Sequence, residues 1–163
     1  MNNIIWKKRA MSKNNGDFIS IESYSGHINP NMADPSAPEY LLEVDSSDEI
    51  IGKNIIEALK NSRPLSLEEH RNTAKNLAES YKTWIQKMME KYGYKTKRAL
   101  FKSMKSCSIL YQDDFLTIKP SKHVTLEGWS GDGFNEEDYV KIPEESSFSE
   151  IGAALRLAFT RCR

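Results

Sequence analysis

Between Ser66 and Gly93 the chain has little freedom in how it folds. Ser66 and Glu69 stand at the spacing of a capping box, in which the two side chains satisfy amide groups left free at a helix start. Ala74, Leu77, Ala78, Tyr81, Trp84, Ile85, Met88 and Met89 then recur at three- and four-residue steps, giving a broad apolar stripe on one side of a helix. Gly93 fits the left-handed position on which helices end. The pattern predicts a helix over Ser66 to Tyr92 and reads the stripe, with Trp84 and both methionines, as core packing rather than a ligand pocket.

The flanking segments predict shorter elements. An apolar-to-basic stretch, Ile4 to Met11, precedes a turn at Asn15-Gly16 and the apolar Phe18, Ile19 and Ile21, an opening hairpin over about 4–23. Ile28 to Pro38 holds Pro30, Pro35 and Pro38 and reads as an ordered loop. Tyr40 to Val44 reads as a short strand. Ser46 and Glu49 form a capping box before a helix with Ile51, Ile55, Ala58 and Leu59 on one face. That helix stops near Arg63-Pro64, since the residue before proline avoids helical geometry. Arg98 to Met104 fits strand or helix. Ser108 to Tyr111 and Phe115 to Lys119 flank Gln112-Asp113-Asp114 as a hairpin, with Asp113 and Asp114 as a solvated turn. Strands over His123 to Trp129 and Tyr139 to Ile142 extend the same antiparallel sheet. Ser149 is the expected cap of a last helix whose face is Ile151, Ala154, Leu155, Ala158, Phe159 and Cys162. Late strands followed by a terminal helix predict an α+β fold, a single domain over 1–163 with an antiparallel sheet packed against several helices.

Bulk charge excludes two classes of partner. With 23 basic and 23 acidic residues, general attraction to nucleic acid or membrane is not expected. Apolar runs are too short for a transmembrane helix, and the basic residues after the opening apolar patch reverse the order of a secretory signal. Cytoplasmic residence is expected, with Cys107 and Cys162 as reduced, small core residues. Two cysteines without a CxxC motif, and His27, His70 and His123 far apart, make no metal site. No phosphate-binding glycine loop, HExxH or nucleophile elbow occurs; GWSGDG lacks the spacing of GxSxG. Neither an enzyme, a cofactor nor a small-molecule substrate is expected.

Two long phrases carry a resemblance: YGYKTKRALFKSMKSC (Tyr92 to Cys107) and IGAALRLAFTRC (Ile151 to Cys162). Together with LTIKPSKH (Leu116 to His123), LEGWSGDG (Leu126 to Gly133) and VKIPEESSFSEIGAALRLAF (Val140 to Phe159), they resemble the CdiI immunity proteins of bacterial contact-dependent growth inhibition. The likeness covers about 64–163, leaving about 1–63 as the variable, toxin-specific part. The resemblance implies a protein that binds the C-terminal toxin domain of a cognate CdiA protein and neutralises it.

Charge is uneven along the chain. Asp34 to Glu57 carries seven acids against Lys53, and Val124 to Glu150 carries eight against Lys141. Between them, Lys91 to His123 carries eight Lys or Arg against Asp113 and Asp114. If the toxin is a nuclease, and an RNase in particular, an acidic inhibitor gains association rate and covers the basic substrate groove. The expected toxin-binding residues are Asp45, Asp48, Glu49 and Glu57 in the first half and Trp129, Asp132, Glu136, Glu137 and Asp138 in the second. The loop Gly128 to Tyr139 sets aromatic anchors among those acids, the make-up of a binding loop; as a shared family phrase it reads more as scaffold than as interface. The competing function is a small RNA-binding protein using the basic Lys91–His123 segment, with Tyr92, Tyr94 and Phe101 as stacking groups. Nucleic-acid binding is disfavoured by the neutral total and the acidic neighbours.

Overall fold

The computed structural model describes residues 6–163, so Ile4 and Ile5 of the expected opening hairpin lie outside the described residues. Strands β1 (Arg9–Asn14) and β2 (Ile19–Ser25) form that hairpin around Gly16, at φ 96°. Asn14 and Asn15 accept amide hydrogens from Gly16, Asp17 and Phe18, so the turn is closed by its own side chains. Two short strands, β3 (Met32–Ala33) and β4 (Tyr40–Leu42), pair with successive parts of β2. Helices α1 (Asp48–Asn61), α2 (Leu67–Tyr92) and α3 (Lys97–Phe101) follow. Then come β5 (Lys105–Gln112), β6 (Phe115–Lys119), the pair β7 (Lys122–Thr125) and β8 (Gly128–Ser130), β9 (Val140–Pro143) and α4 (Phe148–Thr160).

The main sheet is antiparallel throughout, in the order β3-β2-β1-β5-β6-β9, with β4 beside β3 on the same side of β2. One face is closed by α1 and α4. Ile19, Ile21, Cys107, Ile109, Leu116 and Ile118 from the strands meet Ile51, Ile55, Leu59, Ile151, Leu155 and Phe159 from the helices, all buried. A second, smaller core lies with α2 and α3, where Phe18, Ile85, Met88, Leu100, Phe101 and Met104 pack together. The α+β expectation holds, and Arg98 to Met104 resolves as helix α3 and the turn after it.

Four expectations need correction. Helix α1 is capped by Ser47, not Ser46: Ser47 Oγ accepts from Ile50 N–H at 3.2 Å. Ser46 is held outside the helix because its carbonyl and that of Val44 accept from the Arg156 guanidinium. Helix α4 is capped by Ser147, whose hydroxyl accepts from Glu150 N–H and donates to the Glu150 carboxylate; Ser149 lies inside the first turn. The segment His123 to Trp129 does not extend the main sheet. It turns on itself at Leu126-Glu127 as the separate β7–β8 hairpin, and β9 takes the place beside β6. The stripe of α2 is only half core: Ile85 and Met88 are buried, while Leu67 and Leu77 are 45% and 39% exposed.

Candidate functional site

The half-covered stripe defines the site. At its carboxyl end α2 is anchored by Ile85 and Met88 on the second core. At its amino end it is tied through Leu65, whose N–H donates to Gly26 O at 2.7 Å. Between these anchors the helix bridges a concavity of about 740 Å³ over the sheet. Ala74, Leu77, Ala78 and Tyr81 form its roof, Lys13, Glu22 and Tyr24 its floor, and Met32 to Glu39 one wall. Strand alternation explains the floor. Ile19, Ile21 and Ser23 point to the α1–α4 face, so Glu22 and Tyr24 point to the other.

The floor is polar and partly desolvated. Glu39 Oε2 accepts from Trp84 Nε1 at 2.6 Å, and its other oxygen lies 3.2 Å from Lys87 Nζ. Asp34 is buried, accepting from Ser25 Oγ at 2.8 Å and Arg63 Nε at 3.0 Å. Lys13 Nζ sits over the Trp84 and Trp129 rings, 5.0 and 5.5 Å from their centroids. Burial pushes the Lys13 pKa down, against the pull of Glu22 and Glu39. Burial pushes the Glu22 carboxyl up, and the Tyr24 phenol up to about 12. On the same face, past Met11, a second concavity of about 510 Å³ is lined by Lys7, Arg9 and Lys119 with several serines and no carboxylate. The open face of the sheet therefore carries both charges near α2 and only basic groups at its other end.

The sequence-expected residues fall elsewhere. Asp45, Asp48, Glu49 and Glu57 belong to α1 and its approach, the helix layer on the opposite side of the sheet from α2. Asp48 is bound by Arg156 Nε at 2.8 Å, and Glu57 by Lys60 at 3.4 Å, while Asp45 and Glu49 are exposed. Asp132, Glu136 and Glu137 are exposed on the loop before β9. Asp138 closes that loop, accepting from Asn135 N–H at 3.0 Å. Trp129 donates to Met104 O at 2.9 Å and stacks on His123 with centroids 4.8 Å apart, a bracing role in the second core. The stacking groups of the RNA-binding reading are likewise engaged. Phe101 is fully buried, Tyr92 stacks on Phe18 at 4.8 Å, and Tyr94 bonds Asn15 and Asp17. Sequence reasoning missed Glu22, Asp34 and Glu39; the one available signal was a glutamate in the middle of an apolar strand pattern at Ile19–Ser25.

The comparisons with known proteins decide the family. A model of the CDI immunity protein family, CdiI, matches residues 8–162. The chain belongs to the CdiI family. The match takes in the first half of the chain as well as the second. Immunity protein CdiI-YPIII of Yersinia pseudotuberculosis serotype O:3 is 40% identical, with 100% of this chain and 99% of that protein aligned. Among solved structures, the CdiA-CT/CdiI toxin and immunity complex from Yersinia pseudotuberculosis superposes with a TM-score of 0.90 at 38% identity, over 99% of this chain and 100% of that one. A Neisseria meningitidis protein of unknown function superposes with a TM-score of 0.88 at 33% identity, over 100% of this chain and 99% of that one. Within the CdiI family the fold is thus retained from end to end. No helix among the described residues is long and apolar enough to cross a membrane.

Proposed function

We propose that this immunity protein neutralises a cognate CdiA C-terminal toxin domain by binding it in the groove between α2 and the sheet, and that the bound protein occludes the toxin's active site. A relative solved as a toxin–immunity complex supports the partner class. One observation supports the place: the amino-terminal half of α2 presents exposed Ala74, Leu77 and Ala78 over a half-open concavity, with no element among the described residues packed against them. An apolar stripe left uncovered on a long helix marks an interaction surface. Glu22, the lining carboxylate without an ion pair among the described residues, supports a basic partner, as a nuclease with a phosphate-binding groove would be. Asp45, Glu49, Asp132, Glu136 and Glu137 then contribute a surrounding field rather than the contact itself.

Leu77→Arg tests the place, because it puts a long cation into the groove mouth from an exposed position. The variant should melt like the wild type, lose affinity for the toxin at least a hundredfold, and fail to protect cells that express the toxin; a hundredfold loss is about 2.7 kcal/mol. Unchanged protection would sink the groove reading. Incubating the purified toxin with RNA and with DNA, with and without the immunity protein, tests the chemistry. Cleavage of neither substrate would exclude a nuclease.

A further inference from the structure

Four titratable groups face the groove floor and wall, and three of them are partnered within this chain. Asp34 is held by Arg63 and Ser25, Glu39 by Trp84 and Lys87, and Lys13 lies over two indole rings. Glu22 differs: among the described residues no hydrogen bond or ion pair reaches its carboxylate, and Lys13, Lys87 and Glu39 act on it through space. Strand register explains why. Glu22 stands opposite Met11, and Lys13 stands opposite Ser20, so the two charges are offset diagonally along β1 and β2. The Lys13 chain then runs away toward Trp84 and Trp129. A water-filled groove tolerates such a carboxylate. A groove sealed by a polypeptide does not, because an ion removed from water without a partner is strongly unfavourable.

We infer that Glu22 is a recognition carboxylate: the toxin segment that fills the groove carries a lysine or arginine side chain that pairs with it. This rests on the reading that the groove under α2 is where the toxin docks. Charge favours a cation over any other occupant, because Asp34 and Glu39 already have Arg63 and Lys87, which leaves Glu22 as the carboxylate of the lining without an ion pair among the described residues. A backbone amide would satisfy one oxygen, but it would leave the charge of the Glu22 carboxylate uncompensated. A buried pair of this kind sets partner choice, since a toxin lacking the cation would meet an unpaired carboxylate.

The experiment uses the whole chain and its purified toxin domain, with binding followed in real time. Glu22→Gln keeps size and removes charge. It should lower affinity roughly tenfold or more, mainly through faster dissociation, as loss of one partner of a buried charge pair does. Each exposed Lys and Arg of the toxin is then changed to Met and measured against both immunity variants. One toxin cation should show the same loss against the wild type and little further loss against Glu22→Gln. If Leu77→Arg abolishes binding while Glu22→Gln binds like the wild type, the pairing is wrong and the groove reading stands. If Leu77→Arg binds normally, the groove reading falls and the pairing with it. Should Glu22→Gln fail to fold, the toxin scan alone decides against the pairing when no single Lys or Arg change weakens binding to the wild type. A loss at Glu22 coupled to no toxin cation also overturns it.

Discussion

Gly52 and Gly152 show how single residues set the spacing of the helix layer. A Cβ on Gly52 would lie 1.8 Å from the Phe148 carbonyl oxygen, and one on Gly152 would lie 1.9 Å from that of Asp48. The first turns of α1 and α4 therefore touch backbone to backbone. Gly52→Ala should cost about 3 kcal/mol in urea unfolding, the upper part of the range for overpacking, because backbone cannot swing aside. The neighbouring Lys53→Ala, exposed, should stay within about 0.5 kcal/mol of the wild type. Equal stability of the two variants would mean the helices do not cross there. The cysteines make a second pair. Their sulfurs are 3.6 Å apart, Cys107 fully buried and Cys162 partly so. The hydrogen bond shared between the two sulfurs raises Cys107, which burial raises further, and lowers Cys162 relative to ordinary thiols. Iodoacetamide at about pH 8 should label Cys162 and leave Cys107 unlabelled until the fold opens, as peptide mass mapping would show. Neither pair is legible in the sequence. The glycines sit a hundred positions apart, and only the tertiary crossing gives them meaning.

At the scale of elements, local determinants read well and distant ones do not. The ends of α2 follow from Ser66 and Gly93 because a cap is made within one turn; Ser66 Oγ accepts from Glu69 N–H and Gly93 adopts φ 73°. The β5–β6 hairpin reads equally well, with Asp113 and Asp114 at φ 52° and 66° in its two-residue turn. The segment His123 to Trp129 misleads because its pairing partner is itself: alternation specifies a strand, not the neighbour it takes. Periodicity likewise reports that one side of α2 is apolar, not whether anything covers it. That difference predicts opposite phenotypes along one stripe. Met88→Ala, at a site with no exposure, should destabilise by about 2–5 kcal/mol. Leu77→Ala, at the groove mouth, should cost less than about 0.5 kcal/mol in stability. In toxin binding the order reverses, with Leu77→Ala weakening affinity and Met88→Ala acting only through its folded fraction. Chemical denaturation and calorimetric titration of both variants check the crossing. If both lose stability alike, the amino half of α2 is as well packed as the carboxyl half.

For the whole molecule, the sheet separates two jobs. One face is sealed by α1 and α4 into the larger core, and the other carries the groove, with both charges beside α2 and only basic groups beyond Met11. The sequence exposes the charge runs but not which side of the sheet each residue belongs to, so it favoured Asp45, Asp48, Glu49 and Glu57 over Asp34 and Glu39 of the same run and over Glu22. The separation predicts two kinetic signatures. With a net charge of zero, long-range attraction depends on local patches rather than on the total. Exposed carboxylates outside the contact act during approach, where their field is screened within roughly 8–10 Å at physiological salt. Changing Asp45, Asp48, Glu49 and Glu57 to Asn or Gln, or Asp132, Glu136, Glu137 and Asp138 likewise, should slow association, flatten its dependence on salt and leave dissociation nearly unchanged. Asp48 belongs in the first set only with a stability control, because it binds Arg156 in the fold. Groove variants should do the reverse, leaving the salt slope of association alone and speeding dissociation. Stopped-flow association at low and high salt, paired with dissociation by chase, separates the two. If the surface sets speed dissociation as strongly as Leu77→Ala does, the toxin sits on those carboxylates, and the contact lies outside the groove.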